Sequence, residues 1–244
     1  MCSTKKQRLA HAILPCNAAR TAVKGDTEPA GTLTISAVES LCTYRLSPVL
    51  AAYRSRYPDV QLILRTGICA TMRREVLGGE VDLAFTLEEP GVDERITFER
   101  LLDEPMLILV QPGHPLTRKD AIYPHDLEGE TVLLTEPGCR YRSMFETALA
   151  SAGVQTMTME FSSVEAIKQC TMAGLGVTLL PEIAVASEVE RGMLSVVPWR
   201  GPDIPVITQM LWHRDKWMSP ALKAFIEMSR ELIGPFEESS FAVL

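Results

Sequence analysis

From Thr32 onward, short apolar runs alternate with amphipathic stretches, each closed by glycine or proline, and this rhythm constrains the fold more than any other feature. Thr32–Ala37, Val60–Arg65 and Val81–Thr86 read as strands. Between the first two, Leu46, Val49, Leu50 and Tyr53 recur at helical spacing, a stripe that ends before Pro58. Ala70–Leu77 reads as a second helix, stopped by Gly78-Gly79. Strand, helix, strand, helix, strand predicts a parallel sheet with right-handed crossovers. Ile96–Gln111 follows as two strand-like pieces broken around Asp103-Glu104-Pro105.

The rhythm then repeats. Thr131–Thr135 is a predicted strand and Arg142–Ala152 a helix capped by Gly153. Met157, Met159 and Phe161 alternate as a strand, Ser163–Ala173 is a helix ending at Gly174, and Val177–Leu180 is a strand before Pro181. Glu182–Glu190 forms a short helix, Met193–Val197 a last strand of this half, Pro205–Trp212 an extended run and Pro220–Ile233 a helix. Two α/β lobes result. Residues 31–111 plus 205–234 form one and 112–204 the other, flanked by a linker-helix remnant or tail at 1–30 and a tail at 235–244.

Composition narrows the chemistry. With 46% hydrophobic and 23% charged residues, the 244-residue chain has the make-up of a globular protein, and no run approaches the ~18 apolar residues of a membrane span. Six cysteines contain no C-x-x-C pair, which argues against a structural zinc site and a disulfide framework and for reduced thiols in a cytoplasm. The net charge of −7 hides an asymmetry: residues 1–30 carry +3, leaving the remainder at −10. A body that acidic repels phosphate backbones. The amino end has three readings: a poor secretory signal interrupted by His11, Pro15 and Asn17; an arbitrary start; or the tail of a helix, with Leu9, Ala12, Ile13, Ala19 and Val23 on one stripe and Gly25 as its stop. The third is preferred.

Ligands of open α/β sheets sit at the carboxyl ends of strands, where helix amino ends present free N–H groups. Four turns qualify: Val38-Glu39-Ser40, Thr66-Gly67-Ile68-Cys69, Thr135-Glu136-Pro137-Gly138-Cys139 and Phe161-Ser162-Ser163. Each offers hydroxyls or amides suited to a small anion or carboxylate, or simply caps its own helix. There is no G-x-S-x-G elbow, Walker loop or H-E-x-x-H, so no catalytic residue, metal or cofactor is expected. Gly174-Leu175-Gly176 follows a helix and reads as its stop, not as a dinucleotide loop. Cys69 and Cys139 fall at helix starts, where the dipole lowers a thiol pKa, so they are either redox-active or covalent groups or small apolar cleft residues. Arg45, Arg65, Arg140 and Arg142 are candidate carboxylate anchors or solvated surface residues.

A series of motifs then resembles the effector-binding region of LysR-type transcriptional regulators. It runs through Gly31-Thr32-Leu33-Thr34-Ile35, Leu46-Ser47-Pro48-Val49-Leu50 with Tyr53 and Tyr57-Pro58, and Leu77-Gly78-Gly79-Glu80-Val81-Asp82-Leu83-Ala84. It continues with Gln111-Pro112-Gly113-His114-Pro115-Leu116, Asp126-Leu127, Gly138-Cys139-Arg140-Tyr141-Arg142 and Ala173-Gly174-Leu175-Gly176-Val177 through Leu180-Pro181. Ile13-Leu14-Pro15 is similar to the end of the family's linker helix. The resemblance implies two Rossmann-like subdomains of the periplasmic-binding-protein type II kind with an interlobe ligand cleft. It also implies a homodimer or tetramer that reaches promoter DNA through an amino-terminal helix-turn-helix absent from these residues. By the same resemblance, the ligand contacts are Ser40, Thr66, Gly67, Ile68, Thr86, Leu87, Thr135, Ser162 and Ser163, to which the reading of the turns adds Cys69, Gly138 and Cys139. Ile68 departs from the family's frequent Thr or Ser, and Thr66 stands in for that hydroxyl. The expected partner is a small anionic inducer in a cytoplasmic, non-enzymatic sensor. A transport-type solute-binding protein of the same fold and a cysteine-dependent enzyme are the alternatives.

Overall fold

The computed structural model describes residues 28–234. Helical readings of residues 9–23, and the tail after residue 234, lie outside them. Lobe one is built on β1 (Gly31–Ala37), β2 (Val60–Thr66), β3 (Leu83–Glu88), β4 (Ile96–Asp103) and β10 (Ile207–His213), in the order β2-β1-β3-β10-β4. Lobe two carries β5 (Met106–Val110), β6 (Thr131–Thr135), β7 (Met157–Phe161), β8 (Val177–Pro181) and β9 (Ser195–Val197), ordered β7-β6-β8-β5-β9. In each sheet the first three strands run parallel, as their helical crossovers require, and the remaining pairs are antiparallel.

Helices α1 (Glu39–Tyr44), α2 (Leu46–Arg56), α3 (Cys69–Leu77), α4 (Arg140–Ser151), α5 (Val164–Met172), α6 (Glu182–Glu190) and α7 (Pro220–Ile233) cover the sheets. α1 was not separable from α2 by periodicity. The chain breaks at Arg45 (φ −107°) and restarts two residues before Pro48, whose missing N–H is tolerated only in a first helical turn. Tyr53 of α2 packs against Phe225 of α7 at 5.0 Å between ring centroids, and its hydroxyl donates to the Ala221 carbonyl at 2.8 Å. Central strands β3 and β8 are buried along their whole length and are mostly apolar, with Thr86, Glu88 and Thr178 as buried polar exceptions, whereas edge strand β7 leaves Met157 64% exposed.

One expected boundary shifts. Met106–Val110 pairs with β8 and β9, so the chain leaves lobe one at Glu104-Pro105 and not at 111/112. The buried Glu104 carboxylate fixes that exit: Arg45 reaches it at 2.9 and 3.1 Å, and the Thr208 hydroxyl donates to it at 2.8 Å. Both partners belong to lobe one. Beyond Pro105, whose carbonyl accepts from the Glu182 N–H at 2.9 Å, the chain is committed to lobe two. No helix among the described residues is long and apolar enough to cross a membrane.

Candidate functional site

The carboxyl ends of β1, β2, β6 and β7 face one another and enclose a cleft of about 360 Å³. Lobe one lines it with Val38, Glu39 and Ser40 after β1, Thr66, Gly67, Ile68 and Cys69 after β2, and Leu87 of β3. Lobe two supplies Thr135, Glu136, Cys139 and Tyr141 around the start of α4, and Phe161, Ser162 and Val164 around the start of α5. All four turns picked out in the sequence therefore meet at one seam.

Three of the expected residues stand off the wall. Thr86 sits beside Leu87 on a fully buried strand, so its side chain takes the opposite face. Gly138 (φ +95°) points across the seam instead, where a Cβ would lie 2.8 Å from Ile68 Cδ1. Ser163 spends its hydroxyl within the protein: it donates to Glu39 Oε1 at 3.1 Å and accepts from the Ala166 N–H at 3.4 Å, capping α5. Conversely, Val38, Glu39, Glu136 and Phe161 of the same turns line the cleft, although the sequence marks none of them as a ligand contact. Tyr141 and Val164 sit inside helix starts and gave no signal in the residue pattern.

Nor do the candidate arginines reach the cleft. Arg45 holds Glu104, Arg140 holds Glu89 across the seam at 2.6 Å, and Arg142 holds Glu146 and Glu160 at 3.0 Å each and donates to the Thr135 carbonyl. Arg65 lies exposed on β2. Two further contacts tie the lobes together. The Glu39 carboxylate accepts from the Val164 N–H at 2.8 Å, and Lys168 of α5 donates to the Tyr44 hydroxyl at 3.1 Å.

The thiols differ from expectation. Burial, reinforced by the nearby Glu88 and Cys139, pushes the Cys69 thiol well up despite its position at the first residue of α3. Cys139 is raised as well, again chiefly by burial. Dehydration outweighs the helix dipole at both positions. No group of three or more His, Cys, Asp or Glu side chains among the described residues could hold a metal ion.

Residues 26–234 match the LysR substrate binding domain family. The chain belongs to the LysR family. Among its LysR-type relatives is the uncharacterized HTH-type transcriptional regulator YwqM of Bacillus subtilis (strain 168), 40% identical across 84% of this chain and 70% of the relative. The B. subtilis regulator GltR is 31% identical across 87% of this chain and 71% of its own length. In fold, the chain is similar to the CcmR regulatory domain of Synechocystis PCC6803, solved in complex with 2-PG, at a TM-score of 0.74 and 22% identity, covering 83% of this chain and 97% of that one. The two lobes are thus the effector-binding domain of a LysR-type regulator, with the type II periplasmic-binding-protein-like fold.

Proposed function

We propose that the seam cleft is where this LysR domain senses a small effector, and that occupancy shifts the relative arrangement of the two lobes. The observation that carries this is the convergence of four strand-end turns, two from each lobe, on a single 360 Å³ cleft. A ligand touching both walls has different contacts in different lobe arrangements, and only such differential affinity can move the equilibrium. The domain binds and releases its ligand unchanged: the buried thiols are poor nucleophiles, and the relatives are regulators. The contact residues are those of the lining, with Ser40, Thr66, Thr135 and Ser162 as the hydroxyl donors and acceptors. In a complete cytoplasmic regulator, a homodimer or tetramer passes the movement to helix-turn-helix modules on promoter DNA.

The test is a thermal-shift and solution-scattering survey of organic acids and amino acids. A ligand at a hundred times its Kd stabilises by about 2.7 kcal/mol, which raises Tm by roughly 5–10 °C for a chain of this size. At least one compound should do so and change the radius of gyration. A survey in which nothing moves Tm or lobe separation contradicts the sensory reading.

A further inference from the structure

The cleft wall carries charge of one sign. Glu39 and Glu136 line it, and among the described residues no lysine, arginine or histidine does. Nearby arginines are already committed: Arg73 holds Glu88 and Arg140 holds Glu89, both at 2.6 Å, and Arg142 holds two carboxylates of its own lobe. Glu39 is committed too, to the α5 amide and the Ser163 hydroxyl. Glu136 is different. It is half-buried, and among the described residues no hydrogen bond or ion pair reaches its carboxylate. Next to it the Thr135 hydroxyl oxygen is buried and, among the described residues, makes no well-formed hydrogen bond, although it lines the same cleft beside the Cys139 thiol and the Tyr141 hydroxyl. The rings of Tyr141 and Phe161 lie on the same wall.

A purely anionic ligand would enter against two carboxylates with only backbone amides and hydroxyls to receive it. A protonated amine finds the opposite: a free carboxylate, an unsatisfied hydroxyl oxygen able to accept, and aromatic rings that favour cations. On the facing wall, α3 begins at Cys69 with Ile68 as an N-cap that gives no side-chain bond; the Thr71 amide donates to the Ile68 carbonyl at 3.0 Å, which leaves the Cys69 and Ala70 amides for a carboxylate. We propose that the effector is an amino-acid-like zwitterion whose ammonium group is held by Glu136 and whose carboxylate reaches the start of α3. This replaces the anionic inducer expected from the sequence, and it rests on the effector-binding reading above.

Isothermal titration of the full 244-residue chain with the twenty protein amino acids, and in parallel with the 2-hydroxy acid corresponding to each, tests the proposal. At least one amino acid should bind saturably, with its hydroxy counterpart about tenfold weaker or worse. Glu136→Gln should weaken the amino acid by a similar factor while leaving the unliganded Tm in place. Equal binding of the hydroxy acid, unchanged or tighter binding by Glu136→Gln, or no binding by any amino acid overturns the proposal. If hydroxy acids alone bind, only the ammonium assignment falls. If neither class binds and the wider survey of metabolites is also silent, the sensory reading falls with it.

Discussion

At the scale of single residues, solvation competes with the helix dipole, and the cysteines show which wins. By position alone Cys69 would be a ready thiolate, yet it is enclosed beside Glu88 and its thiol is shifted upward. Cys42, half-buried near Glu39, is pushed up to about 11. A thiol with that pKa is ionised to only about one part in a thousand at pH 8. Site-resolved alkylation at pH 7.5 should therefore find Cys42, Cys69 and Cys139 at least about tenfold slower than a cysteine in an unstructured peptide, with the difference vanishing in denaturant. Rapid labelling of Cys69 or Cys139 in the folded chain would revive the covalent reading. Gly176 poses a steric question: a Cβ there would overlap the Thr131 carbonyl oxygen at the start of β6. Gly176→Ala should force β8 away from β6 and cost about 2–3 kcal/mol in chemical denaturation. The Gly174-Leu175-Gly176 run is thus structural, and its second glycine serves strand packing, a reason not visible in the turn chemistry alone.

At the scale of elements, Lys168 joins α5, α6 and α1. Its ammonium is 2.8 Å from Glu188, 3.0 Å from Glu165 and 3.1 Å from the Tyr44 hydroxyl, with the side chain only 4% exposed. Burial works against its charge, but these hydrogen bonds outweigh it and hold the lysine above its ordinary 10.5. Burial likewise opposes the Glu188 charge, and Lys168 reverses that, so the carboxyl falls below its ordinary 4.5. Lysine stabilisation is complete below pH 10.5 and is lost as pH rises through the higher folded value. Carboxylate stabilisation is present above pH 4.5 and is lost as pH falls through the lower folded value. Lys168→Met should cost about 2–4 kcal/mol at neutral pH by stranding Glu188. The Tm difference from wild type should be level across the middle range and shrink below pH 4.5; a difference independent of acid would contradict the pairing. None of this was legible in the sequence, because Glu165, Lys168 and Glu188 look like ordinary charges on helix faces until α5 and α6 pack together within lobe two and Tyr44 meets them from lobe one. Strands and most helices were legible, because Leu222, Phe225, Ile226 and Ile233 of α7 or the apolar run of β8 keep one period throughout. The turns of the cleft were legible for the same reason, as breaks in that period. Which of their side chains face inward was not, since rotation about a strand end decides between Thr86 and Leu87, or between Ser162 and Ser163.

At the scale of the whole molecule, three polar contacts among the described residues span the seam: Glu39 with the start of α5, Arg140 with Glu89, and Lys168 with Tyr44. They stand beside a cleft with no basic side chain among the described residues, so the lobes are held by the protein's own charges and the ligand joins an existing set of bridges. Glu39→Ala removes the carboxylate that serves the first amide of α5, a loss comparable to an N-cap at about 1 kcal/mol. It should broaden the interlobe distance distribution in solution scattering, whereas a distribution identical to wild type would show that Glu39 merely fills space. The decisive measurement is pulsed dipolar spectroscopy between spin-labelled residues introduced at Ala51 of α2 and Ala150 of α4, both exposed and on opposite lobes, with and without the compound that binds. Occupancy of the seam should move the distance distribution to a new, narrower maximum. Saturating binding that leaves the distribution unaltered would contradict the account.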